Sequence, residues 1–428
     1  MRVVREDENT PGQKMGVASV ASPLAPESLP DLPPVRGVRL AAAEAGIRYK
    51  NRTDLMLAVL DPGSTIAGTF TRSKTRSAPV DWCRAGLAHG TARGIVVNSG
   101  SANAFTGKAG ERSVKTTASA AARLLGCKPH EVFIASTGVI GEPLDPQPIL
   151  AKLPALAQAA REDGWAAAAR AIMTTDTFPK AAKGEARLAG RTVRINGIAK
   201  GSGMIAPDMA TMLAFIFTDA ALPQAILQQL LSKAVEESFN CITVDGDTST
   251  SDTVLLAATG RAENRPERLS GAADRRLKAF AAALGAVAKD LAQQVVRDGE
   301  GAEKLITVTV TGAESDEAAR RVGLAIGNSP LVKTAIAGAD ANWGRIVMAV
   351  GKSGEAAERD RLSIRIGGVS VAKRGVVDSA YREEDVMPHM KGRNIEIAVD
   401  LGVGRGRATV WTCDLTHRYI DINAAYRS

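Results

Sequence analysis

The 428-residue chain is 45% hydrophobic and 23% charged, an ordinary globular balance that allows about two to three domain-sized units. Aromatic residues make up only 4%, which argues against a binder that stacks single-stranded bases on rings. The formal charge of +8 is spread thinly, so it excludes a dense basic patch and leaves only a mild attraction for anionic metabolites.

Four cysteines, Cys83, Cys127, Cys241 and Cys413, lie far apart with no CxxC pair. That spacing suits neither a metal site nor a disulfide framework, and it fits a reducing, cytoplasmic setting. No apolar leader and no apolar run of about 18 residues is visible, so neither secretion nor a membrane partner is expected, and no nucleic-acid partner either.

Taken in chain order, residues 1–36 are rich in Pro, Ser and acidic groups and read as a flexible N-terminal arm. Gly94–Asn98 reads as a buried strand, then a Ser/Gly-rich loop and a helix around 113–125. Val132–Ala135 is a strand running into Ser136-Thr137-Gly138. Ala-rich helices are expected at about 148–160 and 164–173. Arg191–Ile195 followed by Asn196-Gly197 predicts a strand and a tight hairpin turn. Further on, 223–238 is an amphipathic helix, Cys241–Val244 a strand, and 267–297 helical. Strands are expected at 305–310, 362–366, 394–400 and 407–412. Such a chain is α/β with mixed or antiparallel sheets.

Several motifs fail. Val350-Gly351-Lys352-Ser353 lacks the glycine a phosphate loop needs, since that position is Ile346. Gly402, Gly404 and Gly406 have the wrong spacing for a dinucleotide fingerprint and read as a glycine-rich hairpin turn. The four histidines form no HExxH, and no Gly-x-Ser-x-Gly elbow occurs.

The segment that carries chemistry is 198–220. A Gly-Ser-Gly stretch leads through Pro207-Asp208 to Ala210-Thr211, and then directly into the apolar run Met212–Phe217. Thr211 thus stands where a loop meets a core strand. A threonine there can attack the Ala210 carbonyl, shift the acyl group from nitrogen to oxygen, and release itself as a new N-terminus. Its freed α-amine, with a reference pKa of about 7.7–8.0, then serves as a local base. On its own the pattern reads first as a glycine-rich loop entering a strand.

Lys200–Leu213 closely resembles the cleavage motif of the ornithine acetyltransferase family, also called the bifunctional glutamate N-acetyltransferases of arginine biosynthesis. Thr174–Lys180, Ile242–Thr250, Lys333–Arg345 and Asp421–Tyr426 are similar to other stretches of the same family. Together the likeness spans roughly residues 37–428.

The resemblance implies an α/β sandwich of mixed or antiparallel sheets between helices, N-terminal-nucleophile-like, autocleaved into an alpha chain, 37–210, and a beta chain, 211–428. It implies a ping-pong transfer of acetyl from N-acetylornithine to glutamate through acetyl-Thr211, with acetyl-CoA as a donor in some members. No metal and no permanently bound cofactor is implied. The expected assembly is a heterotetramer of two alpha and two beta chains. Carried over by position, Ala210 and Thr211 flank the cleavage site and Thr211 is the nucleophile. Thr137 and Gly138 match the oxyanion-hole pair. Thr177, Lys200, Thr211, Glu300, Asn423 and Ser428 match substrate-binding positions, with Thr174 and Thr175 competing for the role of Thr177, and Glu303 for that of Glu300. Ser101 and Phe105 depart from the family's usual residues in the loop after the first strand. The alternatives are an amidase or aminopeptidase on the same scaffold, and an uncleaved amino-acid-binding protein.

Overall fold

The structure, a computed structural model, describes residues 21–48, 50–206, 212–264 and 269–424. Ala210, Thr211 and Ser428 lie outside the described residues.

Two sheets stack face to face. The first orders its strands Val38–Ala43, Leu55–Leu60, Gly94–Ser101, Val132–Val139, with only the last pair parallel. The second orders them Thr65–Phe70, Thr253–Ala258, Leu213–Thr218, Arg191–Lys200, Lys180–Leu188. Its one parallel pair is Leu213–Thr218 beside Thr253–Ala258.

Strand alternation explains the layering. Leu213, Phe215 and Phe217 face the first sheet, packing in one core with Met56, Ile95, Val97 and Phe133. Ala214 and Ile216 face the other way, into a core with Leu230 and Leu231 of the helix Gln224–Glu236 and Leu284, Leu291 and Val295 of the helix Lys278–Arg297. On the outer side of the first sheet, Leu55, Leu57 and Ile134 pack on Val114 and Ala118 of helix Gly107–Leu125 and on Leu153 of helix Gln147–Ala159. The expected sandwich of sheets between helices is therefore present.

A third, six-stranded sheet stands apart with its own core of Ile306, Val308, Ile364, Ile395 and Ile397. Its strand Leu305–Ala313, next to one edge, pairs parallel with Asn394–Asp400 and antiparallel with Gly406–Cys413. It joins the sandwich through Trp411 and Cys413, which lie in the helix-side core of the second sheet.

Several local expectations are corrected. The hairpin turn is Ala189-Gly190, both with positive φ, not Asn196-Gly197. Gly197 sits inside a strand, where a Cβ would meet Leu291 at 2.7 Å; its glycine serves helix packing. Cys241–Val244 is not a strand: Cys241 ends the 3-10 turn Phe239–Cys241 and Ile242 makes a single bridge to Trp411, because Thr243 N–H goes to the Trp411 carbonyl and Val244 N–H to that of Ile205. The helix expected from 267 starts at Lys278. The glycines at 402–406 form a turn but not a hairpin, since the strands they join lie on opposite sides of Leu305–Ala313.

The arm is also corrected where it is described. Leu24, Leu32 and Val35 are buried, and Asn196 Nδ2 donates to the Pro33 carbonyl at 2.7 Å. These spaced apolar residues, set among prolines that limit the entropy of ordering, dock residues 21–36 onto the sandwich.

Candidate active site

The two parallel strands Gly94–Ser101 and Val132–Val139 end side by side in polar residues. Ser136 Oγ donates to Asn98 Oδ1 at 2.6 Å, and Asn98 Nδ2 donates to the Ser101 carbonyl at 3.0 Å, so both strand ends are held together in the interior. Gly138 has φ 130°, and a Cβ there would lie 2.3 Å from the Gly100 carbonyl carbon. Only glycine lets the strands approach this closely while turning the backbone.

Thr137 and Gly138 open onto a cleft of about 490 Å³. Lys200, Glu300 and Asn423 line the same cleft, although they come from three distant parts of the chain. The loop residues Ser249, Thr250 and Ser251 form a further stretch of wall.

Lys200 ends a central strand, buried, with its Nζ 3.9 Å from Asp176 Oδ2. Asp176 also pairs with Lys180 at 2.7 Å and accepts the Gly201 N–H at 2.7 Å. Lys180 pairs in turn with Asp298 at 2.6 Å, all side chains fully enclosed. Burial raises the Asp176 carboxyl, but Lys180 and Lys200 together outweigh it and hold it below the usual carboxylate range. Burial pulls Lys200 below the ordinary lysine range, against the opposing pull of Asp176. The lysine at the cleft wall is thus a cation short of counter-charge, suited to an incoming carboxylate.

Glu300 follows the helix Lys278–Arg297. Its N–H donates to the Ser202 carbonyl at 2.9 Å, and Asn423 Nδ2 donates to its Oε2 at 2.7 Å. Gly203 lies directly over the carboxylate; a Cβ there would meet it at 2.5 Å. Burial lifts Glu300 above the ordinary carboxylate range, while its hydrogen bonds from Asn423 and Thr175 pull it back.

Thr177 is not brought to the cleft. Its hydroxyl donates to Asp298 and accepts the Ser22 N–H at 2.8 Å. The buried Asp298 carboxylate claims this threonine, and Thr174 and Thr175 line the cleft instead. Glu303 is not in the lining, which leaves Glu300 as the cleft carboxylate. Phe105 is 82% exposed and Ser101 turns its hydroxyl to the Asn103 N–H at 3.3 Å, so neither departure lines the cleft; Ala102 between them does. No group of three His, Cys, Asp or Glu side chains placed to hold a metal occurs among the described residues, and no described helix is long and apolar enough to cross a membrane.

The ArgJ family model matches residues 39–428, nearly the whole chain. The chain belongs to the ArgJ family. With that family it is an acyltransferase of arginine biosynthesis. An arginine biosynthesis bifunctional protein ArgJ from Bradyrhizobium diazoefficiens is 58% identical over 413 residues, covering 96% of this chain and 100% of that one. An ArgJ crystal structure from Bacillus halodurans is 44% identical, covering 49% of this chain and 96% of that chain, with a TM-score of 0.45. A Mycobacterium tuberculosis ornithine acetyltransferase solved with ornithine is 35% identical, covering 40% of this chain and 92% of that chain, with a TM-score of 0.37. The matched range, 39–428, includes the cleft-lining residues from Ala102 to Ala424.

Proposed function

We propose that this ArgJ-family chain cleaves itself between Ala210 and Thr211 and then carries acetyl from N-acetylornithine to glutamate on the Thr211 hydroxyl. The observation that carries the reading is convergence: Thr137, Gly138, Lys200, Glu300 and Asn423, named from separate motifs, line one cleft. The strand that opens at Leu213 starts one residue beyond Met212, which is buried.

In the maturation step Thr211 Oγ attacks the Ala210 carbonyl. The C–N bond breaks, an ester forms, and water hydrolyses it, leaving a carboxylate on Ala210 and a free α-amine on Thr211. In the transfer step Thr211 Oγ, its proton taken by that α-amine, attacks the acetyl carbonyl of N-acetylornithine. The Thr137 hydroxyl and a backbone N–H at Gly138 receive the developing oxyanion, a contribution of about 10²–10³ in rate per donor. The C–N bond breaks, the amine leaves with the proton, and acetyl-Thr211 remains. The neutral α-amine of glutamate attacks this ester, and the proton returns to Thr211 Oγ as N-acetylglutamate departs.

Lys200 pairs with the α-carboxylate common to both amino acids. Ionised Glu300, steadied by Asn423, takes the δ-ammonium of the ornithine moiety. Acetyl-CoA serves as a second donor, a reading supported by the relatives' designation as bifunctional. The two products of scission assemble as two alpha and two beta chains, and no permanently bound cofactor takes part. The finer fold assignment, N-terminal-nucleophile-like, rests on the same scission.

Intact-mass analysis of the wild type beside Thr211→Ala, followed by acetyl-transfer assays with N-acetylornithine and with acetyl-CoA, tests the reading. Two fragments and transfer to glutamate from the wild type, with a single inert chain from the variant, are expected. Transfer to water in preference to glutamate would make the chain a hydrolase.

A further inference from the structure

The residue after the nucleophile is fixed from both sides of its backbone. Met212 N–H donates to Asp252 Oδ1 at 3.1 Å, and its carbonyl accepts the Thr253 N–H at 3.1 Å. Leu213 and Thr253 are the first matched pair of the parallel ladder that follows. A side-chain carboxyl therefore supplies the acceptor where the backbone ladder has not yet begun.

Asp252 is unusual in its own right. It is fully buried, and its backbone carbonyl accepts the Thr71 N–H at 3.0 Å. Its second oxygen, Oδ2, is enclosed and accepts no hydrogen bond from the described residues. The three residues before it, Ser249, Thr250 and Ser251, line the cleft, and Lys200 lies within electrostatic reach. A fully buried carboxyl is costly to keep even with the Thr71 and Ser249 hydroxyls close to it, so a role at this position has to offset that cost.

The geometry points to Asp252 as a positioning residue for Thr211: it clamps the peptide that follows the nucleophile, so that the chain end created by scission stays in register with the cleft. The inference rests on Thr211 being the nucleophile. New termini fray unless something ties them down. Here one peptide unit separates the reacting residue from the first fixed N–H. Burial, the strongest influence on this carboxyl, pushes it well up, with Met212 N–H, the Thr71 and Ser249 hydroxyls and Lys200 pulling the other way. A protonated carboxyl still offers Oδ1 as acceptor, and an asparagine reproduces both its shape and that acceptor.

The test uses the full chain as wild type, Asp252→Asn, Asp252→Ala and Asp252→Ser. Cleavage is followed by intact mass, and kcat and KM for acetyl transfer are measured on cleaved enzyme, with a thermal melt of each variant. Asp252→Asn is expected to cleave and to turn over close to the wild type. Asp252→Ala is expected to fold but to lose about 10²-fold in kcat, as for an ångström-scale misplacement, with KM held. If the alanine variant does not fold, Asp252→Ser, which keeps a polar group without reach to Met212 N–H, is read in the same way. Wild-type kcat in a folded alanine or serine variant overturns the proposal. So does loss of activity in folded Asp252→Asn, or failure of both truncations to fold while Asp252→Asn folds, which would make the residue purely structural. A wild type that neither cleaves nor transfers acetyl refutes the nucleophile reading itself, and the clamp with it; an active wild type with any of the other adverse results refutes the clamp alone.

Discussion

Asn423 Nδ2 donates to Glu300 Oε2 at 2.7 Å, tying the C-terminal helix His417–Ala424 to the loop that follows Lys278–Arg297. That helix buries none of its own residues, so side-chain bonds such as this one, and Thr416 Oγ1 to the Gly301 carbonyl at 2.7 Å, hold it against the cleft. Asn423→Ala removes a donor from a buried carboxylate and releases the helix end. An increase in KM for N-acetylornithine with little change in melting temperature is expected. A change in melting temperature alone would assign Asn423 to the fold and not to the cleft.

Glu300→Gln keeps the shape and an acceptor for Asn423 but removes the charge. Truncating one partner of a buried charge pair costs about 2–5 kcal/mol. With N-acetylornithine, kcat/KM is expected to fall by at least about 30-fold, the low end of that range. The glutamate half-reaction carries no δ-ammonium and is expected to change far less. Steady-state kinetics with each substrate varied in turn checks this, and equal losses for both would remove Glu300 from side-chain recognition.

The pH dependence has a definite sign. Burial raises Glu300, with Asn423 and Thr175 opposing. Only the ionised form attracts an ammonium, so affinity for N-acetylornithine is present above the raised pKa and lost as pH falls through it. Glutamate brings a second carboxylate, which ionised Glu300 repels, so its KM is expected to move the opposite way. Measuring both KM values over an acidic pH series checks the prediction, and Glu300→Gln should flatten both curves.

Much of this site was legible because each motif joins a distinctive residue to a distinctive neighbour. Thr137-Gly138 ends an apolar strand, Lys200 precedes Gly-Ser-Gly, and Glu300 stands between two glycines. Thr177 was misplaced because Thr174, Thr175 and Thr177 offer the same hydroxyl within four residues. Which of them faces the cleft depends on Asp298, 121 residues away, whose hydrogen bond captures Thr177. Asn196-Gly197 has hairpin chemistry by local rules, but Gly197 answers to Leu291 on a distant helix. Ser249–Ser251 carry no residue type that marks a site; only the end of the parallel pair 213–218 and 253–258 puts them there. Local pattern reads elements well, and long-range packing decides which side chains meet.

On the proposed mechanism, Thr137→Ala deletes one oxyanion donor and leaves the strand intact. A fall of about 10²–10³ in kcat is expected with KM nearly unchanged, since the donor acts mainly on the developing charge. Gly138→Ala tests a different property of the same pair. The added Cβ meets Gly100 backbone at 2.3 Å and the φ of 130° is strained for alanine, so a drop in melting temperature should accompany the lost activity.

The buried pairs behind the cleft make the last prediction. Lys180 lies between Asp176 at 2.7 Å and Asp298 at 2.6 Å, with none of the three side chains exposed. Lys180→Met leaves two enclosed carboxylates, with Lys200, 3.9 Å from Asp176, and the hydrogen bonds from Gly201 N–H and Thr177 still favouring their ionised forms. Removing one partner of such a pair costs about 3–5 kcal/mol. In the wild type the depressed Asp176 contributes stability that is present above the unfolded carboxylate value, about 3.9, and is lost as pH falls through its lower folded value. In the variant, burial acts with much less opposition and the folded value rises above the unfolded one. The sign then reverses: stability is gained as pH falls, because protonation relieves the buried charge. Asp298, which burial raises even beside Lys180, contributes with the opposite sign in the wild type. The difference between the two proteins in chemical denaturation across an acidic pH series therefore reads Asp176. Lys180→Met should gain stability relative to the wild type as pH falls, and parallel curves would mean that Lys180 is not what keeps Asp176 ionised.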